Sequence, residues 1–582
     1  MHTENGTTAQ PVSQGRIQRW FPITSWLRRY TREDLEGDLV AGVITAILLV
    51  PQGMAFAILA GLPAQAGLYA SVLPPIMYAL LGSSRTLAVG PVSVAALMVA
   101  HALSGLPADV DVLHAALTLA LLAGVFLLAL GMLGMGQVAN FLSHPVLSGF
   151  ITAAALLIVF NQLPNLTGVT LPADWLVTDI AQQVVHAIAS TRGVTLMIGV
   201  ASIALLLFAG GPLVNLLCSL GASRQRALVF SRAAPLLVVL FATIAVSSGH
   251  LAETAAVAVV GSIPKGLPMP TLTLPGVELA LELLPAALLI GLVGYVESVS
   301  IAKALANRRR QRIDTNQELI ALGVANIAGG VFGGMPVAGG FSRTMVNFTA
   351  GARTQFAAII TAVLVGAVAL FFTPLLANIP KAALAAIIIV AVSQLIDIKA
   401  ILRIWRYDRV DGAVLLVTAA GVLLIGIEAG LATGIALSLI SFALRAARPH
   451  VAVLGRIRGS EHFRNVKRHE VQTWPQLLFL RVDENLTFAN ASFLESLVSN
   501  ELATLGDIRH VILVLSSVNA VDSTALEVLE RLAESSKEAG VNLHLSDVKG
   551  PVMDRLERSG LINAIAPGEV FLSAHLAAET LG

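Results

Sequence analysis

The feature that most constrains this chain is a set of long runs without charged side chains. Asp, Glu, Lys and Arg are absent from Leu39 to Ser84, from Thr86 to Ala108 and from Val112 to Ala173. A helix of about 20 apolar residues crosses the hydrocarbon core of a bilayer, so these runs have room for five such helices. The sequence therefore predicts an α-helical protein that crosses the membrane many times.

Later apolar windows raise the predicted number of membrane segments to about 14. They lie around residues 193–209, 234–249, 283–305, 316–332, 341–351, 354–376, 382–396, 411–427 and 429–444. Arg-rich loops fall on the same predicted side as the basic N-terminus, and the opposite loops carry mainly acidic residues. Because cytoplasmic loops are enriched in Lys and Arg, we expect a multi-pass protein of the cell (inner) membrane with both termini in the cytoplasm.

One of these basic loops is the cluster Arg308-Arg309-Arg310-Gln311-Arg312. We interpret it as a marker of membrane topology, because a loop with this charge is held on the cytoplasmic side. A site for a lipid headgroup or a nucleic acid is the alternative interpretation.

Charge density changes near residue 450. The first 449 residues carry 25 basic and 19 acidic side chains, whereas the last 133 residues carry 12 and 17. The second part is therefore about as charged as an ordinary soluble domain. It contains short apolar runs that alternate with helical periodicity: strands at 477–482, 511–515 and 541–545, and helices at 490–504, 523–539 and 550–559. Such alternation predicts a small α/β domain.

These patterns also set the predicted domain boundaries. They are a cytoplasmic N-terminal segment at 1–32, a membrane domain at 33–447, a linker at 448–470 and a soluble domain at 471–582. Cys218 is the single cysteine, which excludes an internal disulfide and a thiolate zinc cluster. The sequence contains no GxSxG, Walker A or HExxH motif. We therefore expect a protein that is not an enzyme and that holds no cofactor and no metal.

Two predicted segments are interrupted by Gly and Pro at membrane depth. The interruptions are Val89-Gly-Pro-Val-Ser93 and Met335-Pro-Val-Ala-Gly-Gly-Phe-Ser-Arg-Thr344, near the third and tenth segments. An irregular backbone survives in a membrane only where protein or a watery cavity surrounds it. Each interruption is followed by sequence that restarts as a helix, and two facing helix starts would present free N–H groups and partial positive charge to an anion. A packing kink is the alternative interpretation.

Two charged residues stand in this apolar surrounding. A charge at bilayer depth usually faces a partner or an aqueous cavity. Arg343 is therefore a candidate for binding an anionic substrate, with an ion pair to Glu297 as the alternative. Glu297 is a candidate for binding a transported proton, with a structural hydrogen bond to the broken backbone as the alternative. Near them, Thr315-Asn-Gln-Glu318 fits a capping box that begins the ninth segment.

Several longer motifs follow one another in a fixed order along the chain. They are Pro51-Gln-Gly-Met-Ala-Phe-Ala-Ile-Leu-Ala-Gly-Leu-Pro63, Gly67-Leu-Tyr69, Gly82-Ser-Ser-Arg85, Val89-Gly-Pro91, Glu297-Ser-Val-Ser-Ile-Ala-Lys303, Asp314-Thr-Asn-Gln-Glu-Leu319, Ala325-Asn326 and Ser342-Arg343-Thr344. Together they closely resemble the signature of the sulfate permease (SulP) family of anion transporters. The C-terminal part resembles the STAS domain that usually ends such chains.

This resemblance implies a fold of 14 segments in two inverted repeats of seven, divided into a moving core and a gate. It also implies elevator-type transport, usually in a homodimer, with the anion between the starts of the third and tenth helices. The residues that it assigns to the anion site are Gln52, Phe56, Val92, Ser93, Phe341, Ser342 and Arg343. Glu297 matches the family's acidic position on the eighth helix, which is associated with proton coupling in some members and sodium coupling in others. Sodium-coupled bicarbonate relatives tend to pair an Asp there with a hydroxyl one turn later, where this chain has Ile301, and the difference favours protons.

We therefore expect a secondary active transporter of a small anion, with sulfate as the first choice of substrate and a proton as the coupling ion. Nucleic acid is not expected as a partner. The alternatives are sodium- or proton-coupled transport of bicarbonate or a C4-dicarboxylate, a nucleobase permease, and a non-transporting membrane protein that displays the STAS domain for signalling. In the STAS part, Ser523 falls where related domains carry a phosphorylated serine, but an N-cap role for Asp522 or Ser523 accounts for the same residues.

Overall fold

The chain divides into two compact units, Met1–Ala436 and Leu437–Gly582. The computed structural model describes residues 21–582 except 29, 108, 142, 170–190, 222, 225–226, 229–230, 232 and 271–275. Most of the predicted N-terminal segment 1–32 therefore lies outside the described residues. The first unit consists of apolar helices, and the second contains a β-sheet covered by helices.

Helices account for about three quarters of the described residues up to 447. In chain order the elements are α1 (Ile23–Leu27), α2 (Arg32–Leu59), α3 (Ala64–Tyr69), α4 (Leu73–Leu81), β1 (Val89–Gly90), α5 (Ser93–Ser104), α6 (Val112–Met132), a 3₁₀-helix (Gly136–Phe141), α7 (His144–Thr167), α8 (Gly193–Gly210), α9 (Pro212–Ser219), α10 (Ala234–Ser248), α11 (Leu251–Thr254), α12 (Val277–Arg308), α13 (Thr315–Val331), β2 (Ala338–Gly339), α14 (Phe341–Thr349), α15 (Phe356–Ala367), a π-helical turn (Val368–Phe372), α16 (Thr373–Leu376), α17 (Lys381–Ser393), α18 (Ile398–Tyr407), α19 (Arg409–Leu424) and α20 (Ile427–Ala447).

Nine stretches among the described residues are long and apolar enough to cross a membrane. Five shorter helices, α5, α10, α13, α14 and α19, lie between them. Counted together, these stretches give the 14 predicted segments, and the prediction of a multi-pass helical membrane protein is confirmed. The two interrupted segments are the third and the tenth, and each consists of a two-residue strand followed by a short helix.

Glycine lets several of these helices approach one another closely. A Cβ atom on Gly67 of α3 would lie 1.9 Å from the carbonyl oxygen of Gly53 on α2. A Cβ atom on Gly124 of α6 would lie 2.6 Å from the backbone nitrogen of Ile327 on α13. Because lipid is as apolar as leucine, membrane helices associate through such close backbone packing at small residues. These contacts fix which helices are neighbours.

Packing separates the membrane helices into two groups. In the first group, α13 packs against α6 and α4, α12 packs against α6, and α15 packs against α2 and α4. In the second group, α7 packs against α17 and α19, and α8 packs against α17 and α10. The two groups touch where α2 contacts α10 and α17 and where α5 contacts α7. They correspond to the core and the gate that the resemblance implies.

The second unit holds the predicted α/β domain. After α20, its elements are β3 (Val451–Arg456), β4 (Phe463–Asn465), β5 (Leu477–Val482), α21 (Ala491–Thr504), β6 (His510–Val514), α22 (Ser523–Glu538), β7 (Asn542–Ser546), α23 (Gly550–Ser559), α24 (Leu561–Ala564), β8 (Val570–Phe571) and α25 (Ala574–Leu581). The strand order is β4-β3-β5-β6-β7-β8. Strands β5 to β8 are parallel, whereas β3 is antiparallel to both of its neighbours.

Successive residues of β5 contribute to two separate hydrophobic cores, one on each face of the sheet. Leu478 and Leu480 join the core beneath α21 to α24, and Phe479 joins a smaller core that includes Phe571. This is the period of two that a strand buried on both faces requires. Strands β3 and β4 come from residues 448–470, which the sequence predicted as a linker. Their apolar runs are short and mixed with charged residues, so periodicity gave little sign of them.

Two histidines interact on neighbouring strands of this sheet. The Nδ1 atom of His544 accepts a hydrogen bond from the backbone N–H of Glu569 at 3.0 Å. The proton of His544 is therefore on Nε2, which donates to Nδ1 of His510 at 3.0 Å. Burial, and secondarily the charge of His510, lower the pKa of His544 to about 4. Burial and the neighbouring Arg509 also lower the pKa of His510. The ring of His544 is thus held in the neutral form near neutral pH.

Candidate functional site

The two interrupted segments meet inside the first unit. Strands β1 and β2 pair in an antiparallel register, with Val89 opposite Gly339 and Gly90 opposite Ala338. A Cβ atom on Gly340 would lie 3.3 Å from Cγ1 of Val92. Each strand is followed directly by a helix, α5 or α14, so the two helix starts lie next to each other. The geometric expectation drawn from the Gly and Pro interruptions therefore agrees with the structure.

Both helix starts have backbone N–H groups without a side-chain cap. Val92 precedes α5 and Gly340 precedes α14, and both have extended backbone conformations without a capping hydrogen bond from their side chains. The first N–H groups of a helix have no partner within it, and the helix dipole adds partial positive charge there. Two such ends side by side form a place where an anion is stabilised without any basic side chain.

Arg343 adds a buried positive charge to these helix starts. Its side chain is 2% exposed, and it donates hydrogen bonds to the carbonyl oxygens of Ala88 (3.2 Å), Pro91 (3.1 Å) and Ala338 (3.4 Å). A Cβ atom on Gly90 would lie 3.3 Å from its guanidinium carbon, so glycine makes room for this approach. The side chain thus joins both strands while keeping its charge beside the helix starts.

Glu297 lies on α12, at the level where this helix contacts β2. The next residue, Ser298, donates to the carbonyl oxygen of Gly294 at 2.5 Å and accepts from the backbone N–H of Gly339 at 2.7 Å. Glu297 is partly exposed, and among the described residues it forms no salt bridge with Arg343. The ion-pair alternative for Arg343 is therefore not realised, although the two charges lie close enough to interact electrostatically.

The remaining predicted site residues differ in exposure. Gln52 and Phe56 are buried, at 5% and 6%, and their spacing of four puts them on one face of α2. That helix packs against both α5 and α14. Phe341 is 53% exposed and Ser342 is also exposed, whereas Val92 and Ser93 are buried. The start of α14 is thus open, and the start of α5 is covered.

Several polar side chains that hold this site together were not assigned a role from the sequence. Asn326 donates to and accepts from the backbone of Val337, at 2.9 Å each. Thr344 accepts from the backbone N–H of Ala88 at 3.1 Å, and Asn347 donates to the carbonyl oxygen of Thr86 at 3.0 Å. All three side chains are buried. Their signal in the sequence is a polar residue within an apolar helix, where an unpaired polar group is costly.

The predicted capping box at the start of α13 is wrong. The N-cap is Asp314, whose side chain accepts from the backbone N–H groups of Asn316 and Gln317. Glu318 is fully buried and binds the loop that leads to β1. Its carboxylate accepts from the hydroxyl of Tyr78 (2.6 Å), the N–H and hydroxyl of Ser83 (2.8 and 2.7 Å) and the N–H of Ser84 (3.0 Å). Residues 240 positions apart are joined in this way.

Ser523 lies at the start of α22 in the second unit. Asp522 is the N-cap of this helix, since its side chain accepts from the backbone N–H of Ala525 at 2.8 Å. Ser523 is exposed, so its hydroxyl is accessible. Of the two N-cap residues left open by the sequence, the structure selects Asp522. Phosphorylation of Ser523 stays a prediction.

Comparison with known proteins identifies the family. The sulfate permease family matches residues 35–418, and the STAS domain matches residues 468–577. The chain belongs to the sulfate permease family. It is therefore an anion transporter and not an enzyme, and the resemblance drawn from the sequence motifs is confirmed.

Individual relatives extend over nearly the whole chain. Sulfate transporter 4.1 of Arabidopsis thaliana, a chloroplastic protein, is 34% identical over 594 residues, covering 99% of this chain and 85% of the relative. A probable sulfate transporter of Mycobacterium tuberculosis is 33% identical over 564 residues, covering 96% of this chain and 98% of the relative.

Solved structures agree with this assignment. Murine SLC26A9, an anion transporter captured in the inward-facing state, has 25% identity and a TM-score of 0.87, covering 99% of this chain and 96% of that chain. The transmembrane domain of the cyanobacterial bicarbonate transporter BicA has 25% identity and a TM-score of 0.58, covering 71% of this chain and 98% of that chain. The predicted fold class, a multi-helical membrane domain followed by a STAS domain, is confirmed.

Proposed function

We propose that this protein is a secondary active transporter of sulfate, driven by a proton gradient. The observation that carries the proposal is the meeting of two uncapped helix starts beside the buried charge of Arg343. An oxyanion of sulfate's size accepts several N–H donors at once, which is what such helix ends supply. Similarity to proteins named sulfate transporters, from a plant and a bacterium, supports sulfate as the substrate.

In this proposal the anion is bound by Val92 and Ser93 from α5 and by Phe341, Ser342 and Arg343 from α14. Gln52 and Phe56 complete its surroundings from α2. The guanidinium group contributes charge, whereas the backbone N–H groups contribute the hydrogen bonds. Three of the guanidinium donors already bond to carbonyl oxygens, so the main contacts to the anion come from the helix ends.

Glu297 is proposed as the proton-binding group. A carboxylate near the site repels an anion and stops doing so once it is protonated, so the proton and the anion favour each other's binding. The absence of a salt bridge to Arg343 within the described residues supports this role, because the carboxylate has no fixed partner to release.

The two packing groups support an elevator-type movement of the core past the gate. We further propose a homodimer in the cell membrane, with both termini in the cytoplasm as the loop charges predict.

The test is uptake of labelled sulfate by proteoliposomes with and without an inward proton gradient. We expect the gradient to accelerate uptake by the wild-type protein. Glu297→Gln should lose this acceleration and still exchange internal for external sulfate. Glu428→Gln is the matched control, because this carboxyl lies in the first turn of α20 and has no assigned role. Acceleration that persists in Glu297→Gln would refute the coupling role.

Bicarbonate is a second candidate substrate, favoured by the similarity to the bicarbonate transporter BicA. A competition panel in the same uptake assay, with unlabelled sulfate, bicarbonate, succinate and uracil, separates the candidates. Sulfate should compete most strongly. If bicarbonate or succinate competes more strongly than sulfate, sulfate is wrong as the proposed substrate, but the proposed anion site still stands. Strong competition by uracil alone would contradict the anion site.

A further inference from the structure

A second charged cleft lies where several elements of the first unit end. Its volume is about 520 Å³. Its lining consists of Trp26, Asp34, Arg85, Arg309, Gln311, Gly351, Arg353 and Thr354. We call this the arginine cleft. The cleft is lined by the loop before β1, by residues after α12 and by residues after α14. Both halves of the core therefore contribute to its lining.

Two of its three arginines have no acidic partner. Arg85 is exposed, and among the described residues its guanidinium has neither a hydrogen bond nor an ion pair. Arg309 lies over the ring of Phe348, 4.3 Å from the centroid, and donates to the carbonyl oxygen of Ala352 at 2.6 Å. These contacts orient Arg309 without neutralising it. The third arginine, Arg353, is paired on α2.

The nearby carboxylates are already occupied. Arg353 binds Glu33 at 3.0 Å and Asp34 at 3.5 Å. Asp38 is fully buried, and its carboxylate accepts from the backbone N–H of Arg353 at 2.7 Å and from the N–H and hydroxyl of Thr354 at 2.9 and 2.5 Å. The residues that line the cleft include three arginines and one acid, Asp34, which gives the lining a formal charge of +2, while Glu33 and Asp38 lie outside the lining. Two guanidinium groups with free N–H donors match the oxygen atoms of a phosphate group.

The surroundings of the cleft indicate the depth at which it opens. Phe21 and Leu27, at the ends of the α1 region, are 49% and 54% exposed, and Leu39 on α2 is 50% exposed. Exposed apolar side chains on a membrane helix face lipid. Trp26 lines the cleft beside them, and Trp is enriched where hydrocarbon gives way to headgroups. Asp34 of the cleft lies in the first turn of α2, so the cleft is at the end of a helix long enough to cross a bilayer, which is the level of the headgroups.

The arginine cleft is separate from the candidate anion site. Helix α14 begins at that site with Phe341 and ends at Thr349, which makes it about 13 Å long. Gly351 and Arg353 of the cleft follow its last turn, whereas Arg343 is in its first turn. The cleft is also larger than an inorganic oxyanion needs, so its shape favours a phosphate group that carries an organic body.

We propose that the arginine cleft binds a phosphate ester, as the headgroup of an anionic phospholipid or as a free phosphorylated solute. Arg85 and Arg309 bind the phosphate oxygens, Gln311 offers a further donor, and Trp26 contacts the organic body. The loop that carries Arg85 leads to β1, and Arg309 directly follows α12, so a ligand bound by both arginines joins the two halves of the core. This inference does not depend on which anion is transported.

Two matched probes test the proposal with the full chain. Nanodiscs of phosphatidylcholine with a minor fraction of phosphatidic acid test the lipid, by native mass spectrometry of the lipids retained. Glycerol 3-phosphate, the same headgroup without acyl chains, tests the free solute by titration calorimetry in neutral detergent. We expect wild-type protein to select phosphatidic acid over phosphatidylcholine or to bind glycerol 3-phosphate. Whichever probe binds identifies the source of the phosphate.

Arg85→Gln is the decisive variant, because this side chain has no hydrogen bond or ion pair to lose among the described residues. It should weaken binding of the active probe about tenfold, the effect of one hydrogen bond to a charged group. Arg309→Gln should weaken it by a similar factor. The control is Arg403→Gln on α18, another predicted cytoplasmic arginine outside the cleft, which should retain binding. Binding of neither probe, or an equal loss in the control, would overturn the proposal.

Discussion

Replacing Glu318 tests how the fold holds the loop in front of the candidate anion site. In the structure, this buried carboxylate is the common acceptor for Tyr78, Ser83 and Ser84. Glu318→Ala leaves two backbone N–H groups, the hydroxyl of Ser83 and the phenol hydroxyl of Tyr78 without that acceptor. Each backbone donor left unpaired costs about 1–3 kcal/mol, so the two together cost about 2–6 kcal/mol.

Glu318→Gln gives a smaller expected loss, because the structure distinguishes the two carboxylate oxygens. Oε1 accepts three of the four hydrogen bonds, and an amide oxygen in the same place keeps them. The amide nitrogen then replaces Oε2, and the hydroxyl of Tyr78 turns to accept. We expect a loss of about 1–2 kcal/mol. Tyr78→Phe removes the hydrogen bond between these two side chains altogether and should also cost about 1–2 kcal/mol.

The assay is thermal unfolding of the purified protein in one detergent at one heating rate, since membrane proteins of this size unfold irreversibly. We expect the midpoint to fall by about 2–5 °C for Glu318→Ala and by about 1–2 °C for the other two variants. Equal midpoints for Glu318→Ala and the wild-type protein would refute the reasoning. So would a larger loss for Glu318→Gln than for Glu318→Ala.

Three further predictions concern other parts of the chain. Ser298→Ala removes the acceptor for strand β2 and should raise the KM for sulfate several-fold; an unchanged KM in uptake assays contradicts this. Gly67→Val should sharply lower the monodisperse fraction in size-exclusion chromatography, because its Cβ would lie 1.9 Å from Gly53 O, whereas Gly105→Ala, with open space around it, should not. The isolated domain 448–582 should lose about 3 kcal/mol of stability between pH 6.5 and 4, as unfolding lets His544 bind a proton, and His544→Gln should flatten this dependence in denaturant titrations.

The sequence predicted the membrane segments well, because a long apolar run without charged residues is typical of a helix that crosses a bilayer. It also located both interruptions, since Gly and Pro are the residues least compatible with an unbroken helix. What it did not reveal are the contacts between distant residues. Glu318 has the spacing of a capping box, yet its carboxylate binds a loop 235 residues earlier. No local pattern distinguishes these two roles.

Arg343 shows the same limit at the site itself. A lone arginine in an apolar segment indicates an anion or an acidic partner, and the sequence offered Glu297 as that partner. The structure gives its donors to three carbonyl oxygens instead. These carbonyl groups are available to Arg343 because β1 and β2 interrupt the hydrogen bonding of their helices. The pairing of β1 with β2 depends on chain topology, which no local pattern shows. Strands β3 and β4 escaped detection for a related reason, since β4 is a short strand at the edge of the sheet and both strands depend on pairing with neighbouring strands.

Under the proposed mechanism, the charges around the paired strands would let one site couple two ions of opposite sign. Arg343 is fixed by carbonyl oxygens, so its positive charge stays in place whatever is bound. Glu297 has no such fixed partner among the described residues, so it is the group that is free to change charge.

Two unit charges interact by about 4 kcal/mol at 4 Å in a medium of effective dielectric constant 20, and by about half of this at twice the distance. An interaction of about 2 kcal/mol changes an affinity about 30-fold. By linkage, an anion that binds more tightly when Glu297 is neutral raises the affinity for the proton by the same factor. Coupling therefore requires no contact between the two ions, only one charge that is permanent and one that is not.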